Sequence, residues 1–408
     1  MKRKNKGRKI YKTKEKNYYG KSPAAKVLSG TLTVMLIGGI GFLGYSLAEP
    51  IINYTQHKGD KPEEIPKTTT AEISLSTTSS AETSSVNSTL ASTTVTIASE
   101  SVSTDNYCAA ALEPSDMASL ENIENALEKL PKNDGIEYVV VPLKASGGKI
   151  YYKSSLYETQ TSKAAISEVS PDKIAEAIVN SGFKPSAVIS AFDDNIIPAS
   201  FPEMGYASVL DGSQWLDADA ENGGKPWASP YSEAYVNYLS SVVSEISGAG
   251  FENIICTDLM YPDFTKNDLA ILDQRLGQNE RCMALTSAAN MLYDEAVSNG
   301  ASMYIEVSAA DLLEGNADVL QPLLLSAHTV VLNIDVDELS AGVQNDQTLY
   351  EFTGTPTEKA QKCMSLVSDK LSEFNVVVRI SGELSEFDEL LEAKDSISEY
   401  GWDSFIVK

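Results

Sequence analysis

From Tyr107 to the C terminus one unit recurs eight times: a short apolar run, then a stretch with apolar residues at helical spacing. The runs are Tyr107–Leu112, Tyr138–Leu143, Ala187–Phe192, Asn253–Thr257, Met303–Val307, Thr329–Ile334, Asn375–Ile380 and Ser404–Val407. Most are apolar at nearly every position, as in parallel strands covered on both faces. Local signals mark the intervening helices. Ser170-Pro171 is a cap followed by proline at the first helical position, and Gly182 ends that helix. Leu120–Leu130, Val236–Ile246 and Arg281–Ser298 carry helical periodicity, and glycines at 248, 250 and 300 supply stops. Shorter helices are expected at Ala317–Ser326 and Glu386–Ile397, and Thr355-Pro356-Thr357-Glu358 reads as a capping box. Eight strands with seven helices between them place the chain in the α/β class. They favour a closed (β/α)8 TIM-type barrel over an open doubly wound sheet. No glycine-rich phosphate loop follows any strand, which argues against nucleotide-binding folds.

Three segments precede the barrel, which is expected to span residues 105–408. Residues 1–26 form a basic tail. Residues 27–48, VLSGTLTVMLIGGIGFLGYSLA, are uncharged and long enough to cross a bilayer, which takes about 20 residues. Up to Ala48 the chain has eleven Lys/Arg and one Glu; beyond it, 21 basic residues face 56 acidic ones. That asymmetry predicts a single-pass cell-membrane anchor with a cytoplasmic tail and an extracellular barrel. A cleaved signal peptide is the competing reading, but the run is long for one and no clear small-x-small site follows. Residues 49–104 read as a disordered stalk: from Thr68 to Thr104, 22 of 37 residues are Ser or Thr. Such a composition buries too little apolar area to offset its ordering entropy.

The acidic body excludes a phosphate-neutralising surface, so nucleic acid is not an expected partner. Four cysteines without metal-ligand spacing, and only two histidines, predict no metal site and no cofactor. Calcium on the carboxylates is the minor alternative, without an EF-hand pattern to support it.

In a barrel, chemistry sits at the carboxyl ends of the strands. The polar residues there are rich in carboxylates and include Lys144, Asp193, Asp194, Asp258, Asp311 and Asp335. Period-two alternation puts Glu306 and Arg379 on one face of their strands, and inside the barrel if those faces point inward. Paired carboxylates suit glycoside hydrolysis, in which one acid protonates the leaving oxygen and another attacks or activates water. Trp215, Trp227 and Tyr231 could stack on sugar C–H faces. Each pattern has a plainer explanation, as a solvated rim, a pinned loop or a structural ion pair.

Several short motifs cluster between Lys144 and Pro262. Trp227, Pro230, Tyr231, Ser232 and Tyr238 fit a W-x-N-P-Y-S…Y element with Ser229 at its Asn, and Gly250-Phe251 fits a following G-F-D. Phe192-Asp193-Asp194 fits an F-K-D, and Lys144 stands at the Lys of a V-K-D. Val307-Ser308 fits a V-S-x-D with Asp311 one place late. Together these resemble a bacterial glycoside hydrolase family of surface or secreted (β/α)8 barrels distantly related to the α-amylases. The resemblance implies an Asp after strand four as nucleophile and a Glu on strand five as acid. Asp258 and Glu306 are the matching candidates, with Asp335 as a third acid. Lys144, Asp194, Trp215, Trp227, Tyr231 and Arg379 are expected to bind substrate. The active-site motifs are altered: Thr257 stands at the family's strand-four Asp, Met260 at its Arg, and Pro142 at its strand-two acid.

Three readings follow. The chain hydrolyses a cell-wall or extracellular polysaccharide; or it is a non-catalytic glycan-binding or scaffolding barrel; or it is a structural surface protein without a sugar ligand. Turnover lost on substitution of Asp258 or Glu306 separates the first from the others.

Overall fold

A computed structural model of the chain describes residues 106–130, 135–277, 281–315, 320–345, 348–382 and 402–407. The expected anchor, the stalk and the helix at 386–397 lie outside the described residues. Among the described residues no helix is long and apolar enough to cross a membrane.

Eight parallel strands close into a barrel in chain order. They are β1 (Cys108–Ala111), β2 (Tyr138–Lys144), β3 (Lys184–Ser190), β4 (Asn253–Thr257), β5 (Ser302–Ser308), β6 (Thr329–Asp335), β7 (Asn375–Ser381) and β8 (Ser404–Val407). Cys108 pairs with Phe405 and Ala110 with Val407, so the sheet has no edge. Strand β3 starts three residues before its expected position. Pro185 masks that start, yet Lys184 N–H already bonds Glu137 O at 2.8 Å. Strand β2 runs through Pro142 with a register shift before Lys144. Such a bulge re-aims the side chain that follows it.

The barrel interior is filled by Tyr107, Ala109, Val140, Ile255, Val331, Val377 and Ile406, with Tyr138, Val188 and Tyr304 packed against them. Tyr107 stacks on Tyr138 at 4.5 Å and edge-on to Tyr304 at 5.1 Å. Glu306 and Arg379 lie two residues beyond Tyr304 and Val377, on the same inward faces, nearer the carboxyl end.

The outer layer contains α1 (Leu120–Lys129), α2 (Pro171–Asn180), α3 (Glu233–Gly248), α4 (Arg281–Ser298), α5 (Ala309–Glu314) and α6 (Pro356–Val367), with shorter turns between them. Thr355 and Glu358 make both bonds of the capping box. Of the helix expected at 317–326, residues 317–319 lie outside the described residues and the remainder holds a short 3-10 turn, Pro322–Leu324; the helix that follows β5 directly is α5. Ser308 caps it by accepting from Asp311 N–H at 3.3 Å, and Gly315 ends it in the left-handed region. Only Ser308 separates Ala309 and Ala310 from the apolar run of the strand, so the helix start carries little signal of its own.

Candidate active site

A cavity of about 520 Å3 opens where β4, β5 and β6 end. Asp258, Glu306, Asp311, Asp335 and Glu338 all line it, facing Tyr261, Phe264 and Arg281. The three carboxylates singled out as catalytic candidates therefore share one cavity.

Asp258 follows β4 with φ +54°, a left-handed conformation uncommon outside glycine. Thr257 shares its strand face with Ile255, which packs inside the barrel. In an extended backbone Asp258 would leave on the opposite face. The left-handed turn breaks that alternation, and Asp258 joins Glu306 at the cavity. Thr257 Oγ1 donates to Asp258 Oδ2 at 3.1 Å.

Glu306 is largely buried, 11% exposed, and accepts from Arg379 Nη1 at 2.7 Å. Burial raises the proton affinity of Glu306 above the usual carboxylate range; Arg379 opposes this, and the charge of Asp258 adds to it. Asp311 is pushed up to about 6, by burial first and then by Glu314. Glu338 is raised by burial, then by Asp311 and Asp335. Asp335 caps the short helix Val336–Ser340: its Oδ1 accepts from the amides of Asp337 and Glu338 at 2.9 and 3.1 Å. It therefore borders the cavity while serving the backbone.

Arg379 also borders a second, smaller cavity of about 220 Å3 with Val140, Pro142, Val188 and Ile255. The Glu306–Arg379 pair thus stands between an acidic compartment and a mainly apolar one.

The other sequence candidates lie elsewhere. Lys144 and Asp194 are fully buried and form an ion pair at 3.0 Å. Trp215 is buried, donates to Asp268 Oδ1 at 2.9 Å and packs on Tyr206 and Phe264. Trp227 is half-buried and donates to Asp217 Oδ2 at 3.0 Å. Tyr231 is half-buried beneath Arg275, whose guanidinium lies 4.4 Å from the ring. None of these five lines the acidic cavity. Its aromatic wall is Tyr261 and Phe264, in the loop after Asp258, where the acidic-aromatic-proline sequence was the available signal. Tyr261 is held by its hydroxyl, which donates to Arg281 O at 2.9 Å. Met260, at the position of the family's Arg, is 45% exposed and lines the cavity. Among the described residues no group of acidic, Cys or His side chains has the geometry to hold a metal ion.

No curated protein matches the chain. Among solved structures it is similar to the PgaB (BpsB) glycoside hydrolase domain from Bordetella bronchiseptica, with TM-score 0.49 and 12% identity over 74% of this chain and 93% of that one. A hypothetical protein from Ruminiclostridium thermocellum matches with TM-score 0.40 and 20% identity over 48% of this chain and 95% of that one. The glycoside hydrolase domain of PelA from Pseudomonas aeruginosa matches with TM-score 0.38 and 12% identity over 74% and 94%. The family model described as a putative glycosyl hydrolase domain matches residues 112–316, just over half of the chain. The chain belongs to that glycosyl hydrolase family.

Proposed function

We propose that the chain cleaves a glycosidic bond in the acidic cavity. Glu306 protonates the leaving oxygen, and Asp258 attacks the sugar or activates a water. The observation that carries this reading is the convergence of Asp258 and Glu306 on one cavity, with Glu306 made a better proton holder by burial. Hydrolysis needs one carboxyl that keeps its proton and one that has lost it. Tyr261 and Phe264 offer faces for a sugar ring. Asp335 is the third acid, and Arg379 orients Glu306. The half-buried Trp227 and Tyr231 would meet only sugars extending beyond the cavity. The test is release of reducing ends from a polysaccharide panel by wild type, Asp258→Asn and Glu306→Gln. Turnover abolished in either variant supports the assignment; turnover retained in both rejects it.

A second reading rests on one contact: the 2.7 Å bond that ties Glu306 to Arg379. If that pair is permanent, the site binds a glycan without cleaving it. Wild type and a variant carrying both Asp258→Asn and Glu306→Gln would then bind the same glycan in calorimetry, with no hydrolysis by either.

The site of action is part of the proposal. Residues 27–48 would anchor the chain in the cell membrane, and the acidic barrel would meet a cell-wall or extracellular glycan beyond the stalk. The sequence supports this through the uncharged run and the basic tail before it. Carbonate extraction tests it: full-length protein should stay with membranes, and deletion of residues 27–48 should release it.

A further inference from the structure

We propose that Lys144, Asp194 and Tyr235 are positioning residues for Asp258. They fix the turn after β3, and amides of that turn hold the backbone that aims the Asp258 carboxylate into the cavity. The proposal rests on the reading of Asp258 as the reacting carboxylate.

The turn is held from below by a closed polar network. Lys144 Nζ donates to Ser190 O at 2.8 Å and to Tyr235 Oη at 3.2 Å, and pairs with Asp194 Oδ2 at 3.0 Å. Tyr235 Oη, reaching in from α3, lies 2.7 Å from Ala191 O and 2.9 Å from Asp194 Oδ2. Asp194 Oδ1 accepts from the amides of Ile196 and Ile197, each at 2.9 Å. Ser190, Ala191 and Asp194 are thereby fixed through three side chains from three parts of the chain.

The same turn reaches sideways to β4. Ala191 N–H donates to Thr257 O at 2.8 Å, and Phe192 N–H donates to Asp258 O at 3.1 Å. Those two carbonyls flank the left-handed residue. A non-glycine side chain stays in that region only where its surroundings over-determine the backbone. Pinning the carbonyls on both sides of its φ and ψ does so. Without the pins, Asp258 would relax toward extended geometry and turn its carboxylate out of the cavity.

A plain packing role explains less. A buried ion pair is usually no more stabilising than apolar side chains of the same size, because both charges lose their water. What it supplies is direction, and here its bonds end on the turn, on the two amides that follow it, or on Tyr235. None of the three residues lines the cavity, so they act through Asp258 rather than on a ligand.

Tyr235→Phe tests this, because it removes one hydroxyl and leaves the ring packing. Tyr238→Phe is the matched control: Tyr238 is buried on the same helix and packs on Tyr235, but its hydroxyl bonds Thr159 Oγ1 at 3.2 Å and makes no hydrogen bond to the turn. In Tyr235→Phe, kcat should fall at least about tenfold with KM within about twofold, as a misplaced reacting group demands. Amide exchange at Ala191 and Phe192 should quicken by a similar factor. Tyr238→Phe should lower Tm comparably and change neither readout. Equal effects of the two variants, or unchanged exchange in Tyr235→Phe, would overturn the coupling. Quickened exchange with unchanged kcat would overturn only its catalytic consequence. Full turnover in Asp258→Asn would instead overturn the assignment of Asp258. The exchange readout applies even to a barrel that binds glycan without cleaving it.

Discussion

Glu306 on β5 and Arg379 on β7 meet at 2.7 Å across the intervening β6, inside the barrel. Glu306 faces the acidic cavity and Arg379 the apolar one. The contact lowers the cost of a buried carboxylate without cancelling it, since burial still raises the proton affinity of Glu306. A carboxyl whose folded-state pKa is raised contributes stability that is fully present below its unfolded value, near 4.3, and lost as pH rises through the folded value.

Arg379→Met therefore has a pH signature. At neutral pH it leaves a buried carboxylate without its partner, at a cost of about 3 kcal/mol. Near pH 4, where Glu306 holds a proton, most of that cost disappears. Thermal melts should show a large Tm deficit at pH 7 to 8 and a small one at pH 4. A deficit independent of pH would mean that lost packing, not the charge, is the cause.

Asp258 should show a conflict between stability and function. Its left-handed φ of +54° is strained for a side-chain-bearing residue and free of strain for glycine. Asp258→Gly is expected to raise stability by up to about 1 kcal/mol while abolishing turnover. Asp258→Val, β-branched, should fall below wild type in chemical denaturation. Stability unchanged across Gly, Asp and Val would show that the backbone there is not left-handed in solution.

Much of this arrangement was legible in the sequence because its signals are local. Strand runs, the Thr355 capping box and the proline-led helix α2 each depend on a few neighbouring residues. Period two was enough to put Glu306 and Arg379 on inward faces. Two local irregularities escaped such reading. The bulge before Lys144 re-aims a residue that its place at the carboxyl end of the strand put on the rim, and it ends in a pair with Asp194, fifty positions along the chain and sealed from solvent. The left-handed turn at Asp258 leaves no mark in composition, since Asp occurs there without a glycine to announce it. Thr257 and Asp258 consequently read as a misregistered motif, where the structure has a kink that brings the shifted acid to the cavity.

Asp311 supplies a second titration in the same cavity. Burial pushes it up to about 6, from an ordinary value near 3.8. Its stabilising contribution is complete below pH 4 and lost as pH rises through 6. Discounted for partial exposure, the loss should be about 2 kcal/mol. Asp311→Asn removes the charge and leaves the main-chain bonds of Asp311 N–H to Ser308 Oγ and of Asp311 O to Gly315 N–H. The variant should melt higher than wild type at pH 7.5, with the difference shrinking toward pH 4. A difference that grows toward acid would reverse the assigned sign.

Gly148 tests the buried network from its other side. The loop after β2 passes so close to Asp194 that a Cβ on Gly148 would lie 2.2 Å from Asp194 Oδ1, and Gly148 has φ +88°. Alanine there must both adopt a left-handed backbone and displace a carboxylate that has Lys144, Tyr235 and two amides as partners. The strain contributes about 1–2 kcal/mol, and disturbing the network brings the expected loss to about 3 kcal/mol. Gly147, next to it, also has a positive φ, +79°, but nothing lies within 4 Å of its Cβ position. Gly147→Ala should therefore show the backbone part alone. Urea denaturation of the two variants separates the terms. Equal losses would mean that the Gly148 approach to Asp194 relaxes without cost.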